Sequence, residues 1–336
     1  MQWEILAGVV ICVFGASYWL TRFASTALAR HSVLDRPNER SSHFNPTPRG
    51  GGLAVMAVVL PAIMIVDAAD AAPINHSTVL CGLAVVLAAV SWIDDLKGVT
   101  PVVRLAIHAA AVAVALSLSV KGPFFGGFFP PWLDTIAAGL AWIWFINLFN
   151  FMDGIDGITG TETVSVGLGI VVLYMVSEAS GGSTAVAMIL IASAGGFLIC
   201  NWHPARIFLG DVGSVPLGFV LGWLLLTLAA DGYLAAALIL PLYYLVDATW
   251  TLLRRLARGE KVWQAHREHF YQRAVQAGLG HNEVVRAIAF ANAALILLAF
   301  ASLEYTWVAV IMAFGVVQIL VWFLSRHEPA ASHEER

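Results

Sequence analysis

The sequence predicts an all-α polytopic membrane protein with about eleven transmembrane helices. Three observations carry that prediction. Apolar residues make up 59% of the 336 and charged residues only 12%, a balance that a soluble domain of this length would not tolerate. The apolar residues fall into runs of the length that a bilayer demands, about 20 residues. Backbone groups in hydrocarbon must be paired within their own segment, so these runs are helices and not strands.

The runs cover 4–24, 51–69, 77–95, 102–120, 133–152, 158–177, 182–200, 214–230, 233–253, 284–302 and 306–325. The first reads as an uncleaved anchor. Ala27-Leu28-Ala29 imitates a cleavage site, yet no basic residue precedes the run, Glu4 does, and Arg22 and Arg30 follow it. The third run closes on Asp94-Asp95 and the fifth on Asp153 and Asp156. The eighth opens behind Leu209-Gly210-Asp211-Val212-Gly213-Ser214, and the ninth carries Asp247 ahead of Arg254 and Arg255. The segment from Arg254 to Arg286 is long enough for a short helix or hairpin of its own, and the connections on the opposite side are short. Residues 1–325 read as one membrane domain and 326–336 as a polar tail. All three cysteines (Cys12, Cys81 and Cys200) lie within runs, so neither a disulfide nor redox chemistry is expected.

Lysine and arginine set the expected orientation. With odd-numbered runs ending at the cytoplasmic side, every basic residue but Lys121 lies on that side or at that end of a run. The N-terminus is then periplasmic and the C-terminus cytoplasmic. The net charge of −4 says little by comparison with this distribution.

The polar motifs share the same asymmetry. Asp35 to Gly52, Asp94 to Pro101, Asn147 to Gly160, Asn201 to Ser214 and Arg254 to His281 each follow an odd-numbered run. Carboxylates at a helix C-terminus oppose the macrodipole by about 0.3–1 kcal/mol each and call for a compensating cation. Headgroup solvation, or pairing with Lys97 or Arg104, would account for one such pair. Four acids on alternate loops of one face point to a site. Asp153 and Asp156, three apart, would share a face if the fifth helix continued, whereas adjacent Asp94 and Asp95 would point about 100° apart. Asp211 stands where an N-cap would stand, and the glycines beside it suit close approach of a ligand such as phosphate. An oxygen-rich set of Asp and Asn without Cys suits Mg²⁺ or Mn²⁺ rather than zinc, and magnesium completes its shell with phosphate. There is no Walker A pattern and no Rossmann glycine fingerprint, so neither a P-loop kinase nor a hydride-transfer enzyme is supported. His266-Arg267-Glu268-His269 suits an anion more than a metal pair, and its spacing alone is explained as well by a merely solvated loop. Asp247 is explained equally by function or by reaching toward Arg254 and Arg255.

These stretches together resemble the polyprenyl-phosphate N-acetylhexosamine-1-phosphate transferases, the glycosyltransferase family 4 type. The matching segments are Pro46-Thr47-Pro48-Arg49-Gly50-Gly51, Asp94-Asp95, Asn147 to Gly157, Asn201-Trp202-His203-Pro204-Ala205 with Phe208 to Ser214, and the histidine-bearing loop. They span residues 35–275 in the family's order and spacing. The resemblance implies Asn150 and Asp211 as magnesium positions and Asp94 and Asp95 as the acidic pair near the lipid phosphate. It implies Arg104 as a phosphate-binding base and Asn201 and Phe208 as lining the uridine pocket. Asp153 and Asp156 fall on the acids of the nucleotide-sugar site, and His266 and His269 on the histidine motif, with Arg267 binding anions. The implied chemistry joins the phosphate of undecaprenyl phosphate to the β-phosphorus of a UDP-N-acetylhexosamine, with Asp94, Asp95, Asp153 and His266 as the catalytic set. Membrane lipid surrounds it, nucleic acid is no partner, and the resemblance allows a homodimer in a bacterial inner membrane. His-Arg-x-His-x-Tyr-Gln (His266 to Gln272) is more similar to the O-antigen-initiating branch than to the phospho-N-acetylmuramoyl-pentapeptide transferases, which carry three successive histidines. That related branch is the alternative within the family, and a secondary transporter is the alternative outside it.

Overall fold

A computed structural model describes residues 3–35, 37, 45–69, 76–176, 181–264 and 266–326. Beyond Arg326 the polar tail lies outside the described residues. The chain runs through α1 (Trp3–Arg30), β1 (Leu34–Asp35), β2 (Thr47–Pro48), α2 (Gly52–Ala68), α3 (Ser77–Lys97), α4 (Pro101–Leu118) and α5 (Pro131–Phe151). It continues through α6 (Ile158–Val176), α7 (Gly181–Asn201), α8 (Asp211–Leu228), α9 (Leu234–Ile239), α10 (Leu242–Ala257), α11 (Phe270–Gln276), α12 (His281–Ala301) and α13 (Thr306–Ser325).

Among the described residues nine helices are long and apolar enough to cross a membrane, counting α8 together with its continuation into α9. Two further spans read from the sequence appear in other forms. One is α2, 17 residues long with Pro61 inside it. The other, the run 233–253, is broken. Helix α9 ends at Ile239 and α10 begins after Pro241, where proline brings no N–H and its ring crowds the carbonyl four residues back. Between α8 and α9 a single π turn (Ala229–Tyr233) holds Gly232 at φ 97°, kinking the chain. The long segment after α10 does contain its own short helix, α11.

Helix α8 is the centre of the bundle. It packs on α3 and α5, with α2 and α6 alongside, while α7 is gripped between α1 and α6. Its residues from Val212 to Leu225 are all buried. Peripheral helices instead turn large apolar side chains outward, among them Ile11, Phe23, Phe290 and Ile311, as a hydrocarbon surround requires. Some buried polar groups pair across elements: Asn292 on α12 donates to Glu162 on α6 at 2.7 Å, and the carboxylate of Asp134 on α5 accepts the amides of Phe124 and Phe125, in the loop before it, at 2.8 and 3.0 Å.

One short piece of strand positions the site. β1 pairs antiparallel with β2, Leu34 opposite Pro48 and Asp35 opposite Thr47. The extended chain then runs on beside the segment before α8. Phe208 N–H donates to the Pro48 carbonyl at 2.8 Å, and Gly51 and Gly52 donate to the Phe208 and Leu209 carbonyls, both at 2.8 Å. A Cβ on Gly52 would lie 2.2 Å from the Gly213 Cα. The first turns of α2 and α8 therefore meet at a point where neither carries a side chain, and Arg49 is delivered to the start of α8.

Candidate active site

The N-terminus of α8 organises the acidic cluster. Its first two amides, Asp211 N–H and Val212 N–H, donate to the two oxygens of Asp95 at 3.2 and 3.0 Å. The cap of this helix thus comes from the end of α3, and Asp211, the first helical residue, does not cap its own helix. Its carboxylate faces two arginines instead. Arg49 Nη2 lies 2.7 Å from Asp211 Oδ1 and 2.7 Å from Asp95 Oδ1. Arg104 Nη1 lies 3.3 Å from Asp211 Oδ2 and 2.6 Å from Asp94 Oδ2. Asp94 also accepts the Val99 amide at 2.6 Å, closing the turn between α3 and α4. The two adjacent aspartates diverge, Asp94 toward α4 and Asp95 toward α8. Burial works against the charge of Arg49, but Asp211, Asp95 and Asp35 more than offset it and hold the guanidinium above its ordinary value.

Helix α5 ends beside the same turn. Asn150 Nδ2 donates to Ser214 Oγ at 2.9 Å, which leaves the amide oxygen on the other side of a group one helical turn from Asp211. The helix stops at Phe151, so Asp153 and Asp156 lie in a loop and do not share a helical face as their spacing suggested. Asp153 accepts Thr159 Oγ1 at 2.6 Å. Burial raises its pKa to about 7, the Thr159 hydroxyl pulls it down, and the negative charge of Asp211 adds to the rise. Asp156 turns away, with His203 Nδ1 at 2.6 Å, His281 Nδ1 at 3.3 Å and the Ala205 amide at 3.1 Å. Burial would raise this carboxyl, but His281, His203 and that amide together hold it below its ordinary value. Asn201 is a brace: its Oδ1 accepts the Gly157 amide and its Nδ2 donates to the Ile207 carbonyl, both at 2.9 Å. Phe208 is half-buried, and its backbone forms the pairing with Pro48 and Gly51.

The histidine loop completes the site from the other side. Its Tyr271 hydroxyl donates to the Phe151 carbonyl at 3.1 Å, and a Cβ on Gly154 would fall 2.2 Å from that hydroxyl oxygen, so α11 is seated on the loop after α5. Glu268 is gripped by Arg254, Arg255 and Arg258. Burial opposes its charge, and the three arginines outweigh it and keep the carboxyl below its ordinary value. Arg267 is half-buried within this loop, and its carbonyl accepts Gln276 Nε2 at 2.8 Å. His266 Nδ1 accepts the Glu268 amide at 3.3 Å. Burial, helped by His269 and Arg255, lowers its pKa to about 4, so the ring is neutral at physiological pH. His269 Nδ1 lies 3.0 Å from Asp247 Oδ1. Asp247 therefore does not reach for Arg254 and Arg255, which pair with Glu268 and Glu260.

Between these two halves lies a groove of about 600 Å³. Leu105, Leu140, Ile143, Trp144 and Leu252 form its apolar side, while Arg104, Asn147, Asn150, His266 and His269 line its polar end. Such a groove suits a ligand with a hydrocarbon portion and an anionic head. Asn150 and Asp211 offer oxygen donors of the kind a hard divalent cation takes, with Arg49 and Arg104 on the two Asp211 oxygens, and Asp156, His203 and His281 bring three further ligand atoms together on the other side of the loop. Sequence reasoning placed Asp94, Asp95, Arg104, Asn150, Asp153 and Asp211 together, but left Arg49 inside a motif without a role. It also did not bring His203 or His281 to Asp156, since no spacing links residues so far apart in the chain.

A family model for glycosyl transferase family 4 matches residues 77–229. Three relatives extend the likeness. One is a probable undecaprenyl-phosphate N-acetylglucosaminyl 1-phosphate transferase of Bacillus subtilis (strain 168), 26% identical over 76% of this chain and 73% of its own length. Another is a decaprenyl-phosphate N-acetylglucosaminephosphotransferase of Mycolicibacterium smegmatis, 27% identical over 90% of this chain and 79% of its own length. The third, an undecaprenyl-phosphate alpha-N-acetylglucosaminyl 1-phosphate transferase of Escherichia coli (strain K12), is 28% identical over 81% of this chain and 77% of its own length.

Proposed function

The chain belongs to glycosyl transferase family 4, and on that premise we propose that it transfers an N-acetylhexosamine 1-phosphate from a UDP-sugar to undecaprenyl phosphate. It is a multi-pass membrane glycosyl-1-phosphate transferase acting on a polyprenyl phosphate. The finer reading sets residues 1–325 as one transferase domain in a bacterial inner membrane, its motif-bearing face toward the cytosol and its product a lipid-linked sugar for O-antigen or a similar polysaccharide. The groove carries this reading. An isoprenoid tail fits against Leu105, Leu140 and Trp144 while its phosphate sits at the polar end beside Arg104, Asn150 and the histidines.

One lipid phosphate oxygen attacks the β-phosphorus of the UDP-sugar, the bond from that phosphorus to the bridging oxygen breaks, and UMP leaves with the electron pair. A phosphate monoester has a second pKa near 6, so the nucleophile is already mostly dianionic and needs no strong base. Asp94 and Asp95 then act by positioning. Asp94 orients Arg104 toward the phosphates, and Asp95 holds the start of α8 and Arg49 in place. Asn150 and Asp211 would hold Mg²⁺, or Mn²⁺ in its place, which would supply charge neutralisation for the phosphates when bound, and Asp153 adds negative charge beside them. His266, Arg267 and His269 meet the substrate anions, and Asp156 and Phe208 face the nucleotide-sugar side. The acids gather at helix ends and not on broken helices at mid-bilayer, which leaves the transporter alternative without support.

Purified protein with undecaprenyl phosphate, Mg²⁺ and a panel of UDP-sugars tests this. UDP-N-acetylglucosamine heads the panel because the three relatives bear that sugar's name, followed by UDP-N-acetylfucosamine, UDP-N-acetylquinovosamine and UDP-N-acetylmuramoyl-pentapeptide. Lipid-dependent UMP release is the expected result. Release with none of them, from monodisperse protein, refutes the proposal.

A further inference from the structure

Asp247 is a fully buried carboxylate whose partners among the described residues include no arginine or lysine. Oδ2 accepts the Tyr243 hydroxyl at 2.9 Å. Oδ1 takes Thr251 Oγ1 at 3.3 Å, the Phe270 amide at 3.1 Å and His269 Nδ1 at 3.0 Å. Three of the four partners are neutral donors, so His269 is the one group there that can match the charge of the carboxylate. A buried carboxylate left without an opposite charge is costly. The pair therefore favours the tautomer with Nδ1–H toward Asp247.

That arrangement determines what the far side of the ring presents. His269 Nε2 is buried and has no partner among the described residues, yet His269 lines the polar end of the groove together with Arg104 and Asn150. The neighbouring His266 ring, 4.9 Å away, uses its own Nδ1 to accept the Glu268 amide, so its Nε2 carries a proton. The Nε2–H of His266 and the open Nε2 of His269 thus accompany Arg104 at one end of an apolar groove. An unsatisfied buried donor discriminates strongly for a ligand that supplies an acceptor, most of all an anionic one.

We infer that Asp247 is a positioning residue for lipid-phosphate recognition: it fixes the His269 ring so that Nε2, protonated when the ring lies between two anions, donates to the phosphate of the polyprenyl substrate. The inference rests on the transferase reading for the identity of the ligand. Asp247 touches no substrate itself. No proton changes hands in the transfer, because the lipid phosphate and the UDP-sugar together carry the same charge as the lipid diphosphate sugar and UMP.

Two measurements on the full-length protein in detergent micelles test it. In histidine-labelled protein, with the His269 ring ¹⁵N signals assigned by their loss in His269→Gln, Nδ1 is expected to be protonated. Nε2 should shift on adding undecaprenyl phosphate and not on adding undecaprenol. No phosphate-specific shift overturns the proposal. In steady-state kinetics Asp247→Asn is expected to raise KM for undecaprenyl phosphate about 10- to 100-fold, the worth of a charged hydrogen bond, with KM for the UDP-sugar changed less than about two-fold. The double variant Asp247→Asn/His269→Gln should lose no more than His269→Gln alone. Equal changes in both KM values, or losses that multiply, overturn it by assigning Asp247 a purely structural role. If Asp247→Asn does not fold, the wild-type spectra still decide. A wild-type protein whose His269 answers the lipid phosphate but which releases no UMP would refute the transferase reading and leave the pair standing. An active enzyme whose His269 ignores the lipid would refute the pair alone.

Discussion

Asp95 should be worth more to the structure than Asp94, because it does two jobs at once. Its side chain, 2% exposed, caps α8 through the Asp211 and Val212 amides and bridges to Arg49 at 2.7 Å. Loss of an N-cap costs about 1 kcal/mol. Breaking a buried ion pair costs about 3–5 kcal/mol when the partner is stranded. Arg49 is not stranded, since it keeps Asp211 and its side chain is 34% exposed; that share is discounted to about 1 kcal/mol. Asp95→Ala is therefore expected to destabilise by about 2 kcal/mol. Asp95→Asn keeps one of the two capping oxygens and loses the charge, its NH2 group replacing the acceptor of the other amide, so it should cost about 1 kcal/mol, between wild type and the alanine variant. Unfolding by titration with SDS in mixed micelles, read by tryptophan fluorescence, measures the difference. An asparagine variant as unstable as the alanine variant, or an alanine variant as stable as wild type, would refute the assignment of Asp95 as the cap.

Four further outcomes follow from the same geometry. Asp211→Asn should reduce turnover at least about 100-fold while the protein stays folded, since its neighbours keep each other; normal activity in a folded variant would remove it from the site. Gly52→Ala should destabilise by about 1–3 kcal/mol and lower activity, as the α2–α8 contact must open and carry Arg49 from Asp211; unchanged unfolding and turnover would contradict that close approach. Asp153, raised to about 7 by burial, binds its proton more tightly folded than unfolded. In metal-free buffer stability should then fall as pH rises from about 4 to about 7 and level off above, and Asp153→Asn should flatten that slope in the unfolding curves. Chelation by EDTA should stop UMP release and added Mg²⁺ restore it; full activity in EDTA would remove the oxygen-donor cluster as a metal site.

The spans were legible because a bilayer imposes a length and a polarity that local sequence must satisfy alone. Where that logic fails, the reason is local too. Within the run 233–253 uniform hydropathy hid Pro241, so a broken helix read as a continuous one. The loop acids were legible as a group through their recurrence on one side. Their partners were not. The contact of Arg49 with Asp211 spans 162 residues and is made by extended chain from β2 passing beside Phe208, a pairing too short to leave an alternating pattern. Asp247 illustrates a competing signal. Arg254 and Arg255 follow it along the chain and suggested a local pair, but Glu260 and Glu268 claim those arginines and the carboxylate turns inward to His269. Asp153 and Asp156 looked like helix neighbours until the helix stopped at Phe151.

In the proposed reaction the phosphate nearer the sugar travels with it to the lipid. Two samples of UDP-N-acetylhexosamine, one labelled with ³²P at the β-phosphorus and one at the α-phosphorus, separate the alternatives in a single butanol extraction. β-Label is expected in the lipid phase while α-label stays in water as UMP, and in Asp211→Asn the β-label should stay in water as well. Water-soluble β-label in UDP, accompanied by a sugar joined to lipid without it, would refute 1-phosphate transfer and make the protein an ordinary glycosyltransferase.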